Sequence, residues 1–202
     1  MPAIAGTRKK NSKFNLLESK KELREHALVV EDIVQKLKKL GAENINIVGP
    51  KILAASTVEH LCSELRADFS KAANPQKILA TLHPTPAMCG TPQKHALSLL
   101  QKMEGWDRGF YASPLGFIDH KNNEALFIVG IRSALAHKNR VFLFAGAGIL
   151  PESNSLKEWE ETESKMQTIL RVFDKTSLCK KLGKMKNSRK FGPGNSSNPY
   201  SP

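Results

Sequence analysis

Between Leu16 and Leu40 the apolar residues Leu16, Leu17, Leu23, Leu28, Val29, Ile33, Leu37 and Leu40 recur at steps of three and four. That is the period of a helix with one face on a core, and Gly41 supplies the stop. Ile45 to Val48 is a short apolar run interrupted by Asn46 and closed by Gly49-Pro50. Val58 to Leu65 fits a strand or a short helix, and periodicity does not choose between them. Pro92 to Met103 returns to the helical period, with Ala96, Leu97, Leu99, Leu100 and Met103 on one side.

From Leu115 the period shortens to that of strands. Leu115–Ile118, Ala125–Leu135 and Val141–Ala145 are separated by His120-Lys121-Asn122-Asn123 and His137-Lys138-Asn139-Arg140, both suited to hairpin loops. A glycine turn, Ala145-Gly146-Ala147-Gly148, then leads to a helix from about Leu156 to Phe173. Helices and hairpins segregate instead of alternating as βαβ units, so the expected class is α+β, with an antiparallel meander feeding the glycine turn. No internal repeat is visible.

Charge changes this picture less than its total implies. The 202 residues carry a formal +12, a balance that points to nucleic acid or an anionic surface. The excess sits at the ends, however. Arg8, Lys9, Lys10 and Lys13 stand at one end; Lys175, Lys180, Lys181, Lys184, Lys186, Arg189 and Lys190 stand at the other, leaving Phe14 to Phe173 with about +2. Residues 174–202 are rich in Lys, Ser, Asn, Gly and Pro and read as a disordered basic tail. Tyr200 and Phe191 are not interleaved with the basic cluster, so nucleic acid is not the expected partner. With 40% hydrophobic residues the body can build a real core. Cys62, Cys89 and Cys179 are widely spaced and lack zinc spacing, which reads as reduced thiols in the cytoplasm. The chain has neither a signal-peptide core at its start nor an apolar run long enough to span a membrane.

The chemistry concentrates in two helices. Glu158 and Glu161 are three apart and Lys165 follows Glu161 by four, so all three share a helix face just after the glycine turn. Backbone N–H groups in such a turn can approach an anion closely. On its own this face is usually a solvated one with ordinary ion pairs. The first helix repeats the pair, however, as Glu22 and Glu25. Four carboxylates meeting in one cleft repel one another, and a hard cation such as Mg²⁺, which takes one or two carboxylates plus substrate oxygens and waters, resolves that repulsion.

Seven motifs in order carry a resemblance. They are Ala5-Gly6-Thr7-Arg8, Glu22 to Val29, Leu82 to Gly90, Asp107-Arg108-Gly109-Phe110-Tyr111, Ile131-Arg132-Ser133-Ala134, Ala145 to Gly148 and Glu158-Trp159-Glu160-Glu161. Together they resemble the chorismate-utilising enzymes, closest to isochorismate synthase of the menaquinone or siderophore type. The resemblance implies an α+β sandwich of antiparallel sheets faced by helices, with residues 1–173 forming its C-terminal half. It implies Glu25 and Glu161 as direct Mg²⁺ ligands, with Glu22 and Glu158 acting through water. Arg132 and Lys165 would grip substrate carboxylates, the Gly146 backbone and Tyr111 would face one of them, His60 would lie near the reacting ring, and Gly6 would line the pocket. Ala87 matches the isochorismate-forming subgroup, since amine-forming relatives such as anthranilate synthase carry Thr there.

Departures follow from the same resemblance. Its members run to roughly twice this length, and their general base, a lysine, and general acid, a glutamate, lie upstream of Ala5-Gly6-Thr7. Nothing in the chain matches either group, each typically worth about 10²–10⁴ in rate. The competing expectations are an enzyme half acting on chorismate or isochorismate with a separately encoded N-terminal half; a non-catalytic remnant; another chorismate-utilising enzyme of the salicylate, anthranilate or aminodeoxychorismate synthase type; and a binding module that uses its basic tail on nucleic acid or an acidic partner.

Overall fold

The computed structural model describes residues 1–10, 14–55, 58–71 and 73–174, with side chains through Arg171. The basic tail, Cys179 included, lies outside the described residues except for Asp174, which ends the last helix. Strand β1 (Pro2–Lys9) is followed by a 3₁₀ turn (Leu16–Glu18), helix α1 (Lys20–Lys39), strands β2 (Ala42–Ala54) and β3 (Val58–Phe69), and helices α2 (Pro75–Leu82), α3 (Pro86–Cys89) and α4 (Gln93–Met103). Two hairpins come next, β4 (Pro114–Asp119) with β5 (Glu124–Val129) and β6 (Ser133–His137) with β7 (Arg140–Phe144), and then α5 (Ser155–Asp174).

The first helix starts later than its apolar residues predict. Asn15 caps the 3₁₀ turn, and the Ser19 side chain then accepts from the Glu22 N–H to begin α1. The buried face of α1 is Glu22, His26, Val29, Ile33 and Leu37. These lie three and four apart, so one stripe runs from polar at its N-terminal end to apolar at its C-terminal end. Val29, Ile33 and Leu37 pack with Ala3, Ala5 and Leu65 into the main core. Burial of each large aliphatic side chain there is worth roughly 1.5–3 kcal/mol.

The sheet under α1 is antiparallel, in the order β1-β3-β2. β3 is its buried centre, which settles the Val58–Leu65 ambiguity in favour of a strand, and β2 runs well beyond the expected Ile45–Val48. Neither β1 nor α2 was expected from the sequence, because β1 lacks a clean alternation and α2 is a short helix set by its Asn74 cap and Pro75. The β1–β3 register slips between Ala5, opposite Leu61, and Thr7, opposite His60. Gly6 is the extra residue, at φ +77. A Cβ there would lie 3.0 Å from the Glu22 carbonyl oxygen, so both the bulge and the close approach of α1 require glycine.

The C-terminal half corrects the expected meander. Ala125–Leu135 is not one strand: β5 ends at Val129, β6 begins at Ser133, and the two hairpins form separate two-stranded sheets. Arg132, expected in mid-strand, sits in the break at φ +49, in the left-handed region. α5 rests against β1 and β7, which brings the C-terminal helix back to the N-terminal strand.

Candidate functional site

The bulge at Gly6 turns backbone donors toward α1. The Thr7 N–H donates to Glu22 Oε2 at 2.7 Å, and the Gly6 N–H reaches Glu25 Oε1 at 3.5 Å. Charge-assisted bonds of this kind fix a carboxylate's position. From the other side α5 contributes Glu158 and Glu161. Lys21 donates to Glu158 Oε1 and lies 3.6 Å from Glu22 Oε1. Lys165 lies 2.7 Å from Glu161 Oε1 and donates to the Gly146 carbonyl at 2.8 Å.

Two helices from opposite ends of the chain thus place four glutamates around two lysines. Glu22 and Glu158 are buried at 6% and 5% exposure, which only paired charges tolerate. Burial opposes the charge on Lys21, but the Glu158 hydrogen bond and the charges of Glu22, Glu158 and Glu161 hold its ammonium above the usual range. Burial, with the charges of Glu22 and Glu161 adding to it, pushes the Glu25 carboxyl above its ordinary value against the opposing Gly6 N–H. Glu25 therefore faces like charge that the lysines do not fully answer. The Gly146–Gly148 turn closes over it: a Cβ on Gly148 would lie 2.7 Å from Glu25 Oε1.

Among the described residues no group of three or more His, Cys, Asp or Glu side chains forms a cation cage. The donor set still fits Mg²⁺, which needs only one or two protein carboxylates when a ligand supplies oxygens. Mutually repelling, oxygen-only donors around Glu25 are the chemistry such an ion satisfies.

Of the residues expected to face substrate, His60, Arg132, Gly146 and Tyr111 lie at the same end. His60, 6% exposed, lies 3.0 Å through Nδ1 from Thr7 Oγ1, and its Nε2 meets the Arg132 guanidinium. Burial, joined by the charges of Arg132 and Lys165, lowers its pKa to about 4. Burial also lowers the Arg132 pKa, with Glu161 opposing. A Cβ on Gly146 would lie 2.9 Å from the Tyr111 hydroxyl, so that hydroxyl faces the glycine turn. Burial raises the Tyr111 pKa, and its ring stacks on Phe144 with centroids 5.5 Å apart, beside Trp106.

Glu22, Glu25, Glu158, Glu161, Lys165, Gly146 and Tyr111 are linked by these contacts, as are Gly6, His60 and Arg132. Ala87 differs, since on α3 it packs against the apolar cluster under α1. Sequence reasoning missed Lys21, whose partner Glu158 is 137 residues away, and it gave Thr7 and Gly148 no role although both lie in quoted motifs. For Thr7 and Gly148 the signal was adjacency to Gly6 and Gly146; for Lys21 helical spacing held none.

The fold and site define a class: an α+β domain in which two helices bring paired glutamates and lysines together beside a glycine turn. The chain belongs to the Chorismate binding enzyme family, whose profile matches residues 3–174. It is 39% identical over 158 residues to isochorismate synthase MenF of Haemophilus influenzae, covering 78% of this chain and 36% of that protein. Its fold matches a Bacillus anthracis structure described as a 2,3-dihydroxybenzoate-specific isochorismate synthase, DhbC, with a TM-score of 0.80 and 33% identity, over 86% of this chain and 48% of that one. The menaquinone-specific isochorismate synthase MenF of Escherichia coli matches with a TM-score of 0.73 and 31% identity, over 84% of this chain and 40% of that one. The chain therefore spans less than half the length of these relatives.

Proposed function

We propose that this chain supplies the substrate-carboxylate and cation side of a chorismate-utilising site of the isochorismate synthase type. The observation that supports it most is the convergence of Glu22, Glu25, Glu158 and Glu161 around Lys21 and Lys165 beside the Gly146–Gly148 turn. The reaction is chorismate to isochorismate: water bonds to C2 as the C4 hydroxyl departs and the ring double bonds shift, one water entering and one leaving. Arg132 and Lys165 hold ligand carboxylates, with the Gly146 backbone and the Tyr111 hydroxyl on the same wall. Gly6 lines the pocket and His60 lies near the ring. Glu25 and Glu161 would hold Mg²⁺ directly, and Glu22 and Glu158 through water; when bound, the ion neutralises the C1 carboxylate. The free thiols of Cys62 and Cys89 support a reducing compartment such as the cytoplasm. Among the described residues no helix is long and apolar enough to cross a membrane.

On this reading residues 1–173 work together with a complementary N-terminal part of such an enzyme. In the β4–β5 register Leu115 faces Ile128 and Phe117 faces Leu126, so the four share one face. They are 41%, 63%, 59% and 58% exposed. A lone hairpin open to water in this way is marginal and seeks a covering surface. Residues 1–173 act as the folded unit, and the tail from Lys175 has no part in the chemistry. The test is chorismate turnover, followed by chromatography, for the purified 202-residue chain alone and mixed with or fused to the N-terminal half of a relative. The expected result is background alone and turnover in combination. Robust turnover by the homogeneous chain alone would overturn the division of labour, and a mixture that binds but stays inert would overturn the reaction.

A further inference from the structure

Thr7 touches both sides of the site. Its backbone N–H donates to Glu22 on the carboxylate side, and its hydroxyl lies 3.0 Å from His60 Nδ1 on the other. Across the imidazole, Nε2 meets the Arg132 guanidinium. A guanidinium carries donors only, so Nε2 must present its lone pair to it. A neutral imidazole with a bare Nε2 carries its proton on Nδ1, where Thr7 Oγ1 lies at 3.0 Å to accept it, beside the Gly6 backbone, which also bonds the ring. The ring is neutral near pH 7, because its burial and the facing charges of Arg132 and Lys165 disfavour a second proton. Arg132 rises from a left-handed break between hairpins, and its guanidinium meets His60 Nε2 and feels the charge of Glu161.

We propose that Thr7 and His60 form a positioning pair, in which Thr7 fixes His60 as the Nδ1–H tautomer and the bare Nε2 aims Arg132 at a ligand carboxylate. His60 then has no proton on Nε2 to give to a departing group; its role is exercised through Arg132. Thr7 also couples the two sides, since the residue that fixes Glu22 by its main chain fixes Arg132 through His60. The ligand in this inference rests on the proposed function; the tautomer does not.

The test is a long-range ¹H–¹⁵N correlation spectrum of the full ¹⁵N-labelled chain at pH 7, with the His60 signals assigned by their loss in His60→Gln. The pair predicts a protonated Nδ1 and a bare Nε2. A protonated Nε2, or a doubly protonated ring, would overturn it. Thr7→Val keeps the shape, the N–H to Glu22 and the Gly6 backbone bond to the ring but removes the hydroxyl acceptor. His60 should then leave its single tautomer, and isochorismate binding in the presence of Mg²⁺ should weaken about tenfold. Thr7→Ser should restore both. An unchanged tautomer and affinity in Thr7→Val would also overturn the pair. Should Thr7→Val lose its folded spectrum, the wild-type tautomer and Thr7→Ser decide. The expected tautomer in a chain that binds no isochorismate would uphold the pair and sink the proposed function.

Discussion

Acidification should remove stability through His60. Burial and the charges of Arg132 and Lys165 bring its pKa from 6.5 to about 4. The unfolded ring takes its proton near pH 6.5, whereas the folded one resists until about pH 4. Between those values the unfolded state binds more protons, so stability is full above pH 6.5 and falls as pH drops. Linkage across this interval gives a loss of about 2 kcal/mol at pH 5 and about 3 kcal/mol at pH 4, a large part of a typical domain's roughly 5–15 kcal/mol. Glu25 works the other way, since its raised pKa lets the folded state take up a proton first. The measurement must therefore be a difference: urea unfolding of wild type and His60→Gln, followed by circular dichroism at pH 8, 5 and 4. Wild-type stability relative to the variant should shrink by those amounts. A constant or growing difference, or an NMR titration of His60 at or above pH 6.5, would show that burial does not hold the His60 ring neutral.

Gly148→Ala should leave the chain folded, because the three atoms nearest the new methyl belong to the far end of the Glu25 side chain; it should weaken Mg²⁺-dependent isochorismate binding about tenfold in calorimetry. Ile33→Ala, at a position 1% exposed in the main core, should cost about 2–5 kcal/mol in urea unfolding. Replacing Phe117 and Leu126 together by Ser should reduce self-association in light scattering and also abolish complementation by an N-terminal half; complementation at wild-type level would remove the β4–β5 face from the interface.

The sequence carried the α1 and α5 helices, both hairpin loops and every carboxylate of the site, because helical spacing reports which side chains share a face. It did not carry how those faces meet. Glu22 and His26 lie in a charged segment, yet they continue the buried stripe of Val29, Ile33 and Leu37. Only tertiary packing against the Gly6 bulge reveals this. The Lys21–Glu158 and His60–Arg132 contacts join residues 137 and 72 positions apart, beyond any local pattern. The break at Arg132 was hidden because Ala125–Leu135 is apolar almost throughout, and period alone cannot locate a left-handed residue inside such a run. The order of motifs supplied what spacing could not.

On the proposed function, α1 and α5 together would hold a cation against an anionic ligand. Calorimetry on the 202-residue chain tests it most directly, with Mg²⁺ titrated in the presence and absence of isochorismate, for wild type and Glu161→Gln. Mg²⁺ binding by wild type only when isochorismate is present, and its loss in Glu161→Gln, is the predicted result. Binding that is unchanged in Glu161→Gln, or wild-type protein that binds neither component in the other's presence, would contradict it.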